Sequence, residues 1–254
     1  MNWGVWARRS SKVLALARGR GQWLAVMVDH ELSIKLPRSA HKKFWGGPHE
    51  DSVLFKFLAQ NLEPGQIFID VGANIGIYSV VIARRTGARV VAFEPIPATA
   101  MVLRDVLQLN KVDDATVENF ALSDRPDFVR MSGFENGASN FQISSSNPDI
   151  SMIEVPARTL DDWCLETGQI PRAIKIDVEG QELAVLRGGA GILRKYRPVL
   201  LIECHCGSWE QLGVRPVEFA DLLSGFGYST VTDPAGNVIN LSVQHQTTHL
   251  CCSA

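Results

Sequence analysis

The chain has almost no charge imbalance, no long apolar run and only an odd handful of cysteines, and each deficit closes off a class of protein. Lysine plus arginine number 25 against 27 acids in 254 residues, a formal net charge of −2. A dedicated nucleic-acid binder needs a clear basic excess, so no nucleic-acid partner is expected. No apolar run approaches the roughly 18 residues of a membrane span. The longest, such as residues 90–93 and 199–202, have the length of buried strands. The five cysteines (Cys164, Cys204, Cys206, Cys251 and Cys252) are odd in number and lack the spacing of a disulfide framework, which fits a reducing cytoplasm. Cys204, His205 and Cys206 lack further ligands at zinc spacing and read as packed thiols and a histidine. His245, His249, Cys251 and Cys252 resemble metal ligands but lie in a short polar terminus, read here as a mobile tail.

What is present is a globular composition, 46% apolar and 20% charged, with length for one large α/β domain or two small ones. The charge is unevenly spread: residues 1–43 carry nine bases and two acids, a balance of +7, and the other 211 residues are −9. The apolar stretch 23–28 is shorter than a signal-peptide core, and no small-residue cleavage site follows it. The segment therefore reads as a basic extension of helix and short strands. Its bases either solvate a helix packed through Trp3, Trp6, Val13 and Leu14, or meet an anionic membrane surface or acidic partner.

From residue 66 onward, β-rich runs alternate with helical runs, the pattern of a parallel sheet with crossover helices. Strands are expected at 66–71, 89–94, 115–119, 173–178 and 198–204, with helices at 75–85, 97–110, 181–193 and 217–225. Two late strands, 228–232 and 238–241, would flank a turn at 233–236 and make the sheet mixed. Residues 125–158 break the rhythm and read as a hairpin-bearing insertion near the site. The expected units are an extension (1–43), a domain (44–243) carrying that insertion, and a tail (244–254).

The most informative stretch is IFIDVGANIGIYS, residues 67–79. An apolar strand ends in Asp70, and a turn holding Gly72, Asn74 and Gly76 opens a helix. Small residues let a ligand approach the backbone, and amides at a helix start receive an anionic group. The turn is not G-x-G-x-x-G, which disfavours a dinucleotide pyrophosphate and a nicotinamide oxidoreductase. Asp70 would repel a diphosphate but can receive an ammonium. Glu94 ends the next strand, 24 residues on, where a carboxylate can take both hydroxyls of a ribose. A nucleoside bearing a zwitterionic amino acid meets these demands, and S-adenosylmethionine is such a molecule. The competing reading is a structural turn with two incidental acids.

These motifs, DVGANIG, FEP (93–95), ALSD (121–124), RTLDDW (158–163) and IKIDVEGQELAVLRGG (174–189), occur in the order in which they resemble the FkbM family of S-adenosylmethionine-dependent methyltransferases, over residues 44–205. The resemblance implies an α/β class I methyltransferase fold: a Rossmann-like, doubly wound seven-stranded sheet with one antiparallel strand. It implies methyl transfer to oxygen, on a hydroxyl of a sugar, polyketide or other small secondary metabolite. Carried over, Asp70, Gly72, Asn74 and Gly76 form the cofactor loop, Glu94 grips the ribose, Asn119 and Ala121 border the adenine, and Asp177 borders the cofactor. No NPPY or DPPY motif is present, which favours a hydroxyl acceptor over an amine.

Catalytic candidates should lie at the carboxyl ends of the fourth and fifth strands. Lys175, Asp177 and Glu179 alternate on one face, as do Glu203 and His205, so Asp177, Glu203 and His205 can converge. Two routes follow. His205 is a general base tuned by an acid such as Glu203, or Asp177, Glu203 and His205 hold a hard divalent cation such as Mg2+ that activates the hydroxyl. Glu179 and Glu182 read as first-turn acids favourable to the helix dipole. Phe44, Trp45, His49 and Glu50 either cover the site or serve as cap and core. The functional alternative is a non-catalytic cofactor-binding module that docks through the basic extension.

Overall fold

The computed structural model describes residues 23–28, 31–38, 52–132, 152–240 and 248–254. Two short strands, β1 (Trp23–Met27) and β2 (Ser33–Pro37), pair as an antiparallel hairpin. The expected alternation follows: α1 (Ser52–Ala59), β3 (Ile67–Val71), α2 (Ile77–Thr86), β4 (Arg89–Phe93), α3 (Pro97–Leu109) and β5 (Ala115–Glu118). A small sheet comes next, made of β6 (Ala121–Leu122), β7 (Asp127–Ser132) and β8 (Met152–Arg158). The chain then runs through α4 (Leu160–Thr167), β9 (Ala173–Ile176), α5 (Glu182–Gly188), α6 (Ala190–Tyr196) and β10 (Val199–Cys204). It closes with α7 (Cys206–Gln211), α8 (Pro216–Gly225), β11 (Thr230–Thr232) and β12 (Thr248–Ser253).

The main sheet has seven strands in the order β5-β4-β3-β9-β10-β12-β11. Its pairings are parallel except the two made by β12. This is the doubly wound sheet with one reversed strand that the motifs imply. Alternation along each strand feeds two cores: Phe68, Val90 and Ala92 pack under α1, α2 and α3, while Ile69, Val71, Val91 and Phe93 pack under α4 and α5. Burial on both faces is why these runs are nearly all apolar, and each large buried side chain contributes roughly 1.5–3 kcal/mol. Both β3 and β9 end at the same edge, where their chain reverses into helices, so the acids after them converge.

The β1–β2 hairpin packs on this core. Ile34 and Leu36 are buried with it. The Asn110 amide donates to the Lys35 carbonyl at 2.9 Å and accepts the Lys35 N–H at 2.7 Å. The packed unit therefore reaches back to Trp23, ahead of the expected boundary at residue 44. No helix among the described residues is long and apolar enough to cross a membrane.

Three expectations are corrected. The C-terminal segment is not wholly a tail: β12 inserts between β10 and β11, with Leu250, Cys251 and Cys252 buried. Its apolar content is three mid-sized residues, too little to announce a strand. The late hairpin at 228–232 and 238–241 shrinks to one bridge between Thr232 and Val238, because β11 takes β12 as its partner. The helix expected over 181–193 breaks into α5 and α6 at Gly188–Gly189. A Cβ on Gly188 would stand 1.9 Å from the Ser123 carbonyl oxygen, so glycine there lets the loop after β6 press against the end of α5. The insertion has its hairpin, with β7 and β8 paired from Asp127–Ala157 to Ser132–Met152. The helix expected to carry Trp3, Trp6, Val13 and Leu14, the segment 44–50, the middle of the insertion (133–151) and His245 lie outside the described residues.

Candidate functional site

At the carboxyl edge of the parallel strands lies an open cleft. Its floor is the turn after β3. Gly72 has φ +74°, and a Cβ there would lie 1.9 Å from the Asp177 carbonyl oxygen. Only glycine lets the turns after the first and fourth core strands touch in this way. Asn74 takes the left-handed region at φ +51°, as its expected place in the turn requires.

Glu94 stands in the cleft wall with 3% of its surface exposed. Its carboxylate accepts the N–H of Asn74 and of Ile96, each at 2.9 Å. Burial raises its pKa to about 7 despite those two bonds and the nearby Lys175 charge. Asn119 lies behind the wall, its amide donating to the Glu94 and Pro95 carbonyls at 2.8 and 3.1 Å. Ala121 does line the cleft, and so do residues not singled out from sequence: Phe120, Leu122, Val129 and Met131. Val129 and Met131 alternate along β7, which gives the cleft an apolar wall from the insertion. No periodicity in residues 125–158 announces this, because the strand's outward face carries both Phe128 and Arg130.

Asp70 is not where it was expected. It is fully buried, accepts Ser79 Oγ–H at 2.7 Å and faces the Lys175 ammonium at 3.5 Å. It anchors Lys175 beneath the floor and offers no oxygen to the cleft. Gly76 likewise sits behind the floor as the residue before α2. Lys175 also bonds Asp177 at 3.1 Å and the Gly72 carbonyl at 3.3 Å. Burial opposes its charge, but Asp177 and Asp70 outweigh that and hold it protonated.

The far end of the cleft is acidic, lined by Asp177 and Glu179 with Gln181. The convergence expected from strand order is there: Asp177, Glu203 and His205 each bring one donor atom within 4.8 Å of the others. His205 Nε2 lies 3.3 Å from Glu179, 3.6 Å from Glu203 and 4.0 Å from Asp177. His205 Nδ1 lies 2.9 Å from Glu182. Burial works against a charge on His205, but the Glu182 hydrogen bond and the charges of Glu182, Glu179 and Asp177 prevail and raise its pKa to about 9. His205 is therefore a cation near neutral pH and stands behind the acids that line the cleft. That differs from the general base expected from sequence.

Three partners of this cluster escaped the sequence reading. Glu179 and Glu182 look like helix-dipole acids, yet both reach His205. His249 pairs directly opposite Glu203 across β10–β12 and bonds its carboxylate at 3.3 Å, which keeps Glu203 below the ordinary glutamate range. The only signal for His249 would have been the pairing of β12.

The alternative route, through Mg2+, does not fit this donor set. Mg2+ asks for near-octahedral oxygen ligands. Here one oxygen of Asp177 is on Lys175 and one of Glu203 on His249, and the third donor is an imidazole nitrogen.

Several known proteins resemble this chain. The methyltransferase FkbM domain matches residues 70–230. The hexuronic acid methyltransferase AglP of Haloferax volcanii is 29% identical over 196 residues, 70% of this chain and 69% of that protein. The 2-O-methyltransferase NoeI of Sinorhizobium fredii is 30% identical over 153 residues, 53% of this chain and 62% of its own length. Among solved structures, the methyltransferase FkbM of Methylobacillus flagellatus superposes with TM-score 0.51 at 18% identity. That match covers 99% of this chain, which spans 60% of the Methylobacillus protein. A SAM-dependent methyltransferase from Agrobacterium tumefaciens gives TM-score 0.52 at 11% identity, over 92% of this chain and 70% of that one. At these identities the structural likenesses establish the fold.

Proposed function

Because the chain belongs to the FkbM methyltransferase family, we propose that it is an S-adenosylmethionine-dependent O-methyltransferase acting on a hydroxyl of a sugar, polyketide or other small metabolite. The observation that carries the reading is the polarity of the cleft: apolar at Phe120, Leu122, Val129 and Met131, carboxylate at Glu94, and acidic at Asp177 and Glu179. An adenine suits the first region and ribose hydroxyls suit Glu94. The turn from Gly72 to Asn74 suits the amino-acid end. S-adenosylmethionine supplies a methyl group carried on a sulfonium.

The chain's own work is to align an acceptor hydroxyl and remove its proton. Asp177 and Glu179 face the cleft as acceptors for hydroxyl hydrogens. Asp177 pairs with Lys175 at 3.1 Å, whereas Glu179 pairs with His205 at 3.3 Å. Burial raises the Glu179 pKa above the ordinary value, against the pull of the His205 charge, so its carboxylate is a stronger base than an ordinary glutamate. Glu179 takes the hydroxyl proton, with the His205 cation and Glu203 behind it. A carboxylate-lined end favours a polyol. The similar proteins AglP and NoeI, a hexuronic acid methyltransferase and a 2-O-methyltransferase, point the same way.

The test is methyl transfer from labelled S-adenosylmethionine to a panel of sugars and phenolic or polyketide alcohols, with and without a chelator. Label is expected on a sugar oxygen, unchanged by chelation. Label on nitrogen would overturn the assignment to oxygen. Cofactor binding with no turnover on any acceptor would favour the non-catalytic module.

A further inference from the structure

Glu182 is fully buried, does not line the cleft, and is surrounded by hydrogen-bond donors. Its Oε1 accepts the Gly180 N–H at 2.9 Å and its Oε2 accepts the Trp209 Nε1–H at 2.7 Å. Neither donor can do anything but donate. Both oxygens thus serve as acceptors, which assigns the third contact, at 2.9 Å to His205 Nδ1, as Nδ1–H donating to Glu182 Oε1. With the Nδ1 proton fixed, the ring can gain or lose a proton only at Nε2. That nitrogen faces Glu179, Glu203 and Asp177.

We propose that Glu182 is a positioning residue: it pins one nitrogen of His205 so that the other presents its proton to the acids at the reactive end of the cleft. The assignment rests on the reading of Glu179 and His205 given above. The groups facing the ring come from several elements: Glu182 on α5, Asp177 and Glu179 on the turn after β9, and Glu203 on β10. From the other side Lys175 pairs with Asp177 at 3.1 Å and His249 Nε2 lies 3.3 Å from Glu203.

The arrangement makes glutamine a sharp substitution. If the amide nitrogen of Glu182→Gln takes the Oε1 place, it meets the Gly180 N–H. If it takes the Oε2 place, it meets the Trp209 N–H. No orientation satisfies all three donors, and the charge that favours the imidazolium is gone.

Nitrogen-15 NMR of the full chain reads the tautomer and midpoint of His205 without any substrate, with the signal assigned from a His205→Asn variant. In the native chain, raising the pH should leave the neutral ring protonated at Nδ1. A neutral ring protonated at Nε2 overturns the proposal. In Glu182→Gln, the midpoint should move down and the Nε2–H form should appear. The turnover number should fall by the ~10- to 100-fold that loss of a charge-assisted hydrogen bond amounts to, with KM for the cofactor unchanged. An unaltered tautomer and midpoint in Glu182→Gln would overturn the positioning role. Altered NMR with unaltered turnover would leave that role standing and sink the reading of His205 in the reaction. Trp209→Phe removes another donor from the same carboxylate and should leave His205 as in the native chain. If it shifts His205 as far as Glu182→Gln does, general loosening is the cause and the proposal fails.

Discussion

At φ +54° Glu179 occupies a backbone region that costs a residue with a Cβ about 1–3 kcal/mol, and it carries its carboxylate to the cleft wall beside His205. Such strain persists where the surroundings enforce it, here the turn between β9 and α5. Replacing Glu179 by Gln should lower the turnover number by roughly 10²–10⁴, the range for a general base, while calorimetric cofactor affinity stays near the native value. The native pH profile should be bell-shaped. Its acid limb falls as Glu179 takes a proton, above the ordinary glutamate range, and its alkaline limb falls as His205 loses one through about 9. A rate that keeps climbing through pH 9 would make neutral His205 the base instead. At this scale, legibility followed spacing. Glu94 and the Asp177–Glu203–His205 set were readable because residues at the ends of neighbouring strands must share an edge. Asp70 sits at such an end too, but its side chain turns beneath the floor to Lys175, and alternation along one strand does not reveal a partner on the next.

Elements carry the apolar half of the cleft and the closure of the sheet. The buried parallel strands announced themselves as short runs of valine and isoleucine. β12 did not, because THLCCS holds no β-branched apolar residue, and its place depends on the exposed edge of β10 accepting it. Yet it pairs through five register positions with β10 and three with β11. A chain truncated after residue 247 should therefore lose cooperative unfolding in urea, since the open β10 edge and the second core lose Leu250 and Cys252 together. A sharp transition at the native midpoint would show β12 to be dispensable. The break between α5 and α6 was equally hidden: an amphipathic run with two glycines reads as one helix until the backbone of Ser123 is seen against Gly188.

Over the whole molecule, two titrations at the site act on stability with the same sign near neutral pH. His205 has its pKa raised from 6.5 to about 9, so its contribution is fully present below 6.5 and is lost as pH rises through 9. Glu94 is raised from 4.5 to about 7, so folding favours its protonated form, and stability is lost as pH rises through 7. Thermal melting should therefore give a Tm that falls from pH 6 to pH 9.5, with a shallower fall in His205→Gln. A Tm that is flat or rising over that window would contradict the charge assignments. The near-neutral composition said nothing of this, because the net charge conceals an acidic cluster set against a few buried cations.

Glu94 is the proposed grip on the sugar of S-adenosylmethionine, in the cleft at the end of β4. Calorimetric titration of that molecule into the native chain and Glu94→Gln, at pH 6 and pH 8, tests it most directly. The native chain should bind more tightly at pH 8, where Glu94 is ionised and accepts hydroxyl hydrogens. Glu94→Gln should bind at least ~10-fold more weakly at pH 8, as expected for a lost charged hydrogen bond, and should lose the pH dependence. Equal affinity in the two proteins at pH 8 would contradict the account.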